Sequence, residues 1–214
     1  MRIRAFRAAD VPRMREIWNE VVRAGNAFPQ FDELADDEEA EAFFASQTRT
    51  AVAVDCGELG ADGGGESDPG SRGCVEAETP DARSDAASGE APSAQDGRVV
   101  GLYILHPNNI GRCAHTANTS YAVDSSCRGR GVGRALVQDS LDNLKPCGFR
   151  GLQFNAVVAS NVSAIRLYES MGFDRIGVIP GGFLNGEGVF EDMIIFHHPA
   201  QADAPATSED FFPQ

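Results

Sequence analysis

The chain has 214 residues, of which 42% are hydrophobic, and a formal net charge of −14 at pH 7. This length and composition suit one globular domain with a sizeable core, and the negative charge argues against nucleic-acid binding because like charges repel phosphate. No apolar run approaches the roughly 20 residues that cross a bilayer, so we expect no membrane partner. The five cysteines are scattered and lack CxxC spacing, which suits reduced thiols, so we expect a cytoplasmic protein without a metal site.

Periodicity and turn residues predict the elements of the N-terminal part. Residues 9–24 have apolar positions at helical spacing, and Asp10 is placed to be the N-cap of that helix. The acidic segment 36–41 leads into two phenylalanines and predicts a second amphipathic helix. Short strands are predicted over residues 2–7 and 51–54.

Residues 57–97 consist mainly of Gly, Ser, Asp, Glu, Ala and Pro, with ten acidic and two basic side chains. Such a stretch cannot bury enough apolar surface to offset the entropy of ordering its backbone. We therefore predict a disordered acidic insertion between two strands of one domain. The polar tail 199–214 is expected to be flexible.

The remainder of the chain alternates strands and helices. The order of elements predicts an α/β domain with a mixed sheet. The predicted strands are 98–105, 115–123, 152–158, 173–180 and 189–197, and the predicted helices are 131–144 and 161–171.

A glycine-rich turn between a predicted strand and a predicted helix is the clearest functional signal. It exposes backbone N–H groups at the positive end of a helix dipole, an arrangement typical of a phosphate site. A nucleotide triphosphatase is excluded because no Gly-Lys-Ser/Thr follows the glycines, and a dinucleotide fold is disfavoured because the glycines come mid-chain. The turn consists of Arg128, Gly129, Arg130, Gly131, Val132, Gly133 and Arg134.

Two motifs resemble the GNAT-type N-acetyltransferase superfamily. Arg128, Gly131 and Gly133 match its Gln/Arg-x-x-Gly-x-Gly/Ala cofactor signature, and the segment 161–173 resembles the pattern that follows the fifth strand of the family. The resemblance implies a single GNAT-like domain over 1–198, with a mostly antiparallel central sheet flanked by helices. It also implies acetyl-coenzyme A as co-substrate and an N-acetyltransferase that acts by direct attack in a ternary complex.

The resemblance also implies roles for individual residues. A backbone N–H near Ala122 or Val123 would donate to the thioester carbonyl, and Tyr168 would be the general acid. Spacing alone favours a packing aromatic, since Tyr168 is three residues from Ile165 on the same helical face, and the family pattern favours the general acid. Asn161 is either a helix N-cap or a cofactor contact. The general base is unresolved, with His115 as the first candidate and Glu20 and Glu191 as the others.

The first helix and the loop after it are similar to those of phosphinothricin acetyltransferase-like enzymes, which implies a small, amino-acid-like primary amine as the acceptor. The resemblance makes Trp18, Glu20 and Phe28 walls of the acceptor site, facing a hairpin at 180–188, although core packing also explains the two aromatic residues. Two other functions stay open: a non-catalytic acyl-coenzyme A sensor, and a protein N-terminal or lysine acetyltransferase. A homodimer also stays open.

Overall fold

The computed structural model describes residues 1–55 and 97–200. The predicted insertion at 57–97 lies outside the described residues except for Gly97. The predicted tail also lies outside them except for its first two residues, Pro199 and Ala200. None of the helices in the described part of the chain has the length and apolar character needed to cross a membrane.

In the described part of the chain, seven strands and four helices follow one another in the predicted order. Three short 3-10 turns, at Ala8–Asp10, Gly111–Cys113 and Ser125–Cys127, lie between them. The elements are β1 Arg2–Ala5, α1 Val11–Ala24, α2 Asp37–Ala45, β2 Arg49–Asp55, β3 Arg98–Pro107, β4 Thr116–Val123, α3 Val132–Asp142, β5 Gly151–Val158, α4 Val162–Ser170, β6 Asp174–Leu184 and β7 Phe190–Pro199.

The strands form one mixed sheet in the order β1-β2-β3-β4-β5-β7-β6. Every neighbouring pair is antiparallel except β4 and β5, which confirms the prediction of a mixed, mostly antiparallel sheet. The parallel pairing is short, because only Thr116 and Ala117 of β4 are in register with β5. Beyond Ala117 the two strands are no longer paired, and a wedge opens between them.

Each face of the sheet carries its own apolar core. On one face, α1 and α2 bury Trp18 and Phe44 against Leu102 of β3. On the other face, α3 buries Leu136 in a core that includes Phe154 of β5. Burial of a large apolar side chain stabilises a fold by about 1.5–3 kcal/mol, so both helical layers are held firmly against the sheet.

The two acidic residues that precede helices have different roles. Asp36 caps α2, because its carboxylate accepts a hydrogen bond from Glu39 N at 2.9 Å. Asp10 occupies the N-cap position of α1, as predicted, but its side chain makes no capping bond there. Its carboxylate instead accepts two hydrogen bonds from the Arg4 guanidinium, at 2.6 and 2.9 Å, and one from Arg7 N at 2.8 Å. Asp10 therefore ties β1 to the start of α1.

Candidate active site

The glycine-rich turn adopts a conformation that leaves its amides free. Gly129 and Gly131 have φ values of 75° and 80°, in the left-handed region that favours glycine. The first helical hydrogen bond of α3 runs from Ala135 N to Gly131 O at 3.1 Å. Within residues 1–55 and 97–200, no acceptor engages the N–H groups of residues 129–134. These donors and the dipole of α3 make a site for an anion.

The turn opens onto a cleft of about 970 Å³. Gly131 and Gly133 line this cleft, together with Arg128 and Arg134. Arg130 is not among the lining residues, because its guanidinium forms an ion pair with Asp55 at 2.8 Å. The structure therefore brings two of the three predicted arginines to the cleft.

The N-terminus of α4 forms the wall opposite the turn. Asn161 Oδ1 accepts a hydrogen bond from Ala164 N at 3.2 Å, so the N-cap prediction is confirmed. Asn161 also lines the cleft, as do the first three residues of α4. Gly133 of α3 faces α4, and a Cβ there would be in ordinary van der Waals contact with Leu167 of α4, at 3.5 Å.

The floor of the cleft is the free edge of β4. Hydrogen bonds from Asn108 N to Thr116 O and from Asp124 N to Val100 O fix the alternation of the β3–β4 ladder. In an antiparallel ladder this alternation directs the N–H groups of even-numbered β4 residues to β3 and those of odd-numbered residues to β5. Ala122, opposite Leu102, is therefore bonded to β3.

This alternation decides which amide could meet a thioester. The prediction of Ala122 is wrong, because its N–H faces β3, and Ala122 does not line the cleft. Val123 does line it, and its N–H faces the wedge, as does that of Tyr121. The next amide in that direction, Thr119 N, donates to Asn118 Oδ1 at 2.7 Å and is occupied. Among the described residues, the wedge thus offers two free donors.

Tyr168 of α4 lies beside these donors. Its ring packs on Phe154 with centroids 4.3 Å apart and lies 6.4 Å from the ring of Tyr121. The Tyr168 hydroxyl has no hydrogen-bond partner among the described residues, and Tyr168 lines the cleft. Desolvation raises its pKa above the ordinary value of a phenol, so the hydroxyl stays protonated at neutral pH.

The three candidates for general base are not brought together. His115 precedes β4 at the end where β4 pairs with β5, is exposed, and is not a cleft residue. Glu20 is half-buried on α1 and does not line the cleft. Glu191 does not line it either, and hydrogen bonds from Ser160 and Asn185 lower the pKa of its carboxyl.

The predicted acceptor walls are only partly in place. Trp18 is 2% exposed and packs on three phenylalanines, so it belongs to the core and not to the cleft. Phe28 packs on Trp18 with tilted rings whose centroids are 4.4 Å apart, and it also lines the cleft. The predicted contact with the hairpin is present, because Gly186 N donates to Gly25 O at 2.8 Å.

Several polar residues at this end of the cleft escaped the sequence analysis. Their side chains are two amides, one hydroxyl and one imidazole, and they come from the loop after α1 and from β3 and β4. Only the register of β3 with β4 brings the strand residues together, although the alternation within each strand is visible in the sequence. They are Asn26, His106, Asn118 and Ser120. Asn155 of β5 also lines the cleft.

The fold and the free amides define a protein of the acetyl-transferring class, and comparison with known proteins agrees. The profile of the Acetyltransferase (GNAT) family matches residues 68–173. A GCN5-related N-acetyltransferase from Kribbella flavida has 31% sequence identity and a TM-score of 0.68, over 92% of this chain and 96% of that one. The chain belongs to the GNAT acetyltransferase family.

Two further relatives show how much of each chain the similarity covers. N-acetyltransferase aca1 of Schizosaccharomyces pombe (strain 972 / ATCC 24843) is 37% identical over 109 residues, which is 50% of this chain and 52% of aca1. The chain thus aligns with about half of this curated relative. A phosphinothricin acetyltransferase of Sinorhizobium meliloti, solved with AcCoA, shares the fold with a TM-score of 0.70 at 19% identity, over 97% of this chain and 94% of that one.

Proposed function

We propose that this protein transfers the acetyl group of acetyl-coenzyme A to a primary amine of a small molecule. The observation that carries the proposal is the continuity of one cleft, which joins the free amides of residues 129–134 to the free edge of β4. The first feature fits a diphosphate, and the second fits an extended chain of amides. Coenzyme A has both parts, and acetyl-coenzyme A is the co-substrate of the family.

Binding follows from the donors that the turn presents. The N–H groups of residues 129–134 would donate to pyrophosphate oxygens at the N-terminus of α3, where the helix dipole also favours negative charge. Arg128 and Arg134 add positive charge on the same side of the cleft. The pantetheine arm would lie in the wedge and pair with Tyr121 and Val123 as an added strand does.

Acetyl transfer needs a donor that meets the charge developing on the thioester oxygen. The N–H of Val123 or Tyr121 is placed on rigid sheet structure and needs no rearrangement during reaction. A donor of this kind typically contributes about 3 kcal/mol to the lowering of the barrier. Direct attack by an amine held beside the thioester gains further from proximity.

Tyr168 would stabilise the departing thiolate. Its hydroxyl is protonated at neutral pH and free of protein partners among the described residues, so it can donate to sulfur. A raised pKa makes the phenol a weaker acid than a thiol in water. Proton transfer to sulfur therefore requires that the thiolate also loses its hydration beside Phe154 and Phe173, because desolvation raises the pKa of the thiol as well.

Substitution of Tyr168 tests this role. We expect Tyr168→Phe to lower kcat by about 100-fold or more, with little change in the Kd for acetyl-coenzyme A. Tyr103→Phe is the matched control, because Tyr103 is fully buried, donates to Asp139 at 2.6 Å and does not line the cleft. It should lose stability and keep its turnover. An unchanged kcat in Tyr168→Phe would remove Tyr168 from the mechanism.

The acceptor end of the cleft indicates the chemistry of the amine. Among the described cleft residues, the only arginines are Arg128 and Arg134, which stand at the phosphate end. A carboxylate on the acceptor would therefore lack the cationic partner that such groups usually have in proteins. Neutral amide and hydroxyl groups, such as Asn118 and Ser120, line the acceptor end instead. We propose an amine without a neighbouring carboxylate, in place of the amino-acid-like acceptor that the sequence suggested.

An amine panel tests the proposed acceptor. Thiol release from acetyl-coenzyme A would be followed with matched pairs, each an amino acid and its methyl ester. We expect the ester to have the higher kcat/KM in each pair, and the reverse order would restore the amino-acid-like acceptor. No release with any amine, together with tight binding of acetyl-coenzyme A, would favour the sensor.

The contact between the loop after α1 and the hairpin at 180–188 bears on whether the acceptor is a protein or a small molecule. A protein acetyltransferase needs an open groove between residues 26–34 and 181–188 that admits a peptide. Gly25 and Gly186 are hydrogen-bonded across this gap, and a Cβ on Gly25 would lie only 2.7 Å from the Cα of Gly186. This closure supports the small-molecule acceptor.

A further inference from the structure

We propose that His106 is the catalytic base that takes the proton from the acceptor amine, an assignment that rests on the proposed acetyl transfer. His106 lines the same cleft as Tyr168 and Val123. No motif in the sequence singles out His106, which lies near the end of β3 before a turn. Its place in the site comes from the pairing of β3 with β4.

The register of the sheet places His106 on the acceptor side. His106 is directly opposite Asn118 in the β3–β4 ladder, and Ser120 follows two residues along β4. Residues at these alternating positions share one face of the sheet. This is the face on which Leu102 and Ala122 join the core beneath α1 and α2. His106, Asn118 and Ser120 therefore form one polar row that lines the cleft.

A backbone carbonyl fixes the tautomer of the His106 ring. His106 Nδ1 lies 3.0 Å from Pro107 O. A carbonyl oxygen only accepts hydrogen bonds, so Nδ1 must carry the proton. In the neutral ring, Nε2 then has the lone pair. This orientation by a backbone acceptor is the arrangement that prepares a histidine to receive a proton at Nε2.

The surroundings of His106 contain no competing base among the described cleft residues. The other titratable side chains that line the cleft are those of Arg128, Arg134, Cys127, Tyr121 and Tyr168. Arginine stays protonated, and desolvation raises the pKa of both tyrosines, so they keep their protons. Cys127 is buried beneath the glycine turn, where Arg130 donates to its sulfur.

The elements around His106 present neutral groups to it. The segment from α1 contributes Val21, Asn26 and Phe28 to the cleft, β4 contributes Asn118 and Ser120, and β5 contributes Asn155 and Ala156. No carboxylate or cation of the described chain stands among them.

The separation along β4 suits a base that acts on the acceptor. The free donors of the wedge end at Tyr121, which is three residues from Asn118, or about 10 Å along the strand. A histidine side chain opposite Asn118 covers part of this distance. The acceptor amine, or one water bound to it, covers the rest.

The proton balance of the reaction is then complete. The ammonium form of the acceptor loses one proton to Nε2 of His106, and the amine attacks the thioester carbonyl carbon. The C–N bond forms, the C–S bond breaks, and the electron pair of the C–S bond leaves on sulfur. Tyr168 donates its proton to sulfur and recovers one from the nitrogen through water. His106 releases its proton to solvent, which is the single proton that the reaction yields.

Substitution of His106 gives the main test. His106→Asn places an amide N–H where it can still donate to Pro107 O, but it has no counterpart of Nε2. We expect kcat with the best amine of the panel to fall by about 100-fold or more at pH 7, with an unchanged Kd for acetyl-coenzyme A. His115→Gln is the matched control, because His115 is an exposed histidine outside the cleft, and its kcat should stay as in the wild type.

The pH profile of the unmodified protein gives a second test that does not depend on the folding of a variant. With two amines of different pKa, the acidic limb of log kcat should fall with a slope of one at the same pH for both. A limb that follows the pKa of each amine would show that the amines lose their protons to solvent, and would overturn the proposal. So would a folded His106→Asn variant with wild-type kcat. The failure of this assignment and the failure of the proposed function are distinguishable. If the wild-type protein acetylates no amine, acetyl transfer itself fails, whereas acetylation that does not depend on His106 overturns only the role of His106.

Discussion

The free amides of the glycine turn lead to a sharp prediction about Gly131. This residue has φ +80° and lines the cleft, and a Cβ placed on it would meet no atom within 4 Å. Gly131→Ala should therefore have two separate effects. The left-handed backbone would cost about 1–2 kcal/mol of folding free energy, and the methyl group would keep an anion from the amides.

A matched glycine elsewhere separates these effects. Gly148 has φ +83°, and its Cβ would also meet nothing within 4 Å, but Gly148 does not line the cleft. Gly148→Ala should lose about the same 1–2 kcal/mol of stability and bind acetyl-coenzyme A as before. Gly131→Ala should also lose one hydrogen bond to a phosphate oxygen, which contributes about 1.5–3 kcal/mol. Its Kd for acetyl-coenzyme A should rise by about 10- to 100-fold.

The assay combines urea unfolding with calorimetric titration of acetyl-coenzyme A into both variants. Equal losses of stability with a loss of affinity in Gly131→Ala alone would support the anion site. An unchanged Kd in a folded Gly131→Ala would refute the reasoning, because the amides of the turn could then not be the phosphate donors. Equal losses of affinity in both variants would trace the effect to general destabilisation.

Two further predictions concern the supports of the site. Asp124 directly follows β4 and is buried. Desolvation raises the pKa of its carboxyl, but hydrogen bonds from Ser126 and the charges of Arg13 and Arg98 lower that pKa by more, so the folded-state pKa lies below the ordinary value. Asp124 therefore stabilises the fold fully above about pH 3.9, and this stabilisation is lost as the pH falls through the folded-state pKa. Asp124→Asn should therefore be less stable than wild type at pH 7 in urea unfolding, with a gap that narrows towards pH 3; a constant gap would contradict this account. Gly25→Ala should strain a residue with φ +62° and displace Gly186, and so raise KM for the amine more than KM for acetyl-coenzyme A; equal increases would contradict a role in closing the acceptor end.

The parts of the site that depend on local structure could be predicted from the sequence. A turn rich in glycine between a strand and a helix creates free amides by its own geometry, whatever surrounds it. The N-cap Asn161 is local in the same way, since it accepts a hydrogen bond from an amide three residues later. The element order was confirmed because hydrophobic periodicity extends over whole strands and helices.

Charged side chains were harder to place because their partners are distant in the chain. Arg130 belongs to the glycine turn in sequence, but Asp55 at the end of β2 holds its guanidinium outside the cleft. Asp10 occupies the N-cap position of α1, but its carboxylate accepts hydrogen bonds from the Arg4 guanidinium and makes no capping bond. In both cases an ion pair between separate elements overrides a local preference.

The wedge shows why the reactive end of the site needs the structure. A shift of one residue in the β3–β4 register would turn the N–H of Ala122 to the wedge and that of Val123 to β3, so only the observed pairing decides which amide can act. The same pairing decides between the two histidines. His115 is next to β4 in sequence but lies at the end where β5 closes the wedge, whereas His106 is carried to the cleft by an antiparallel neighbour. The active site is therefore set by where β4 and β5 stop pairing, and the sequence of β4 alone does not reveal that position.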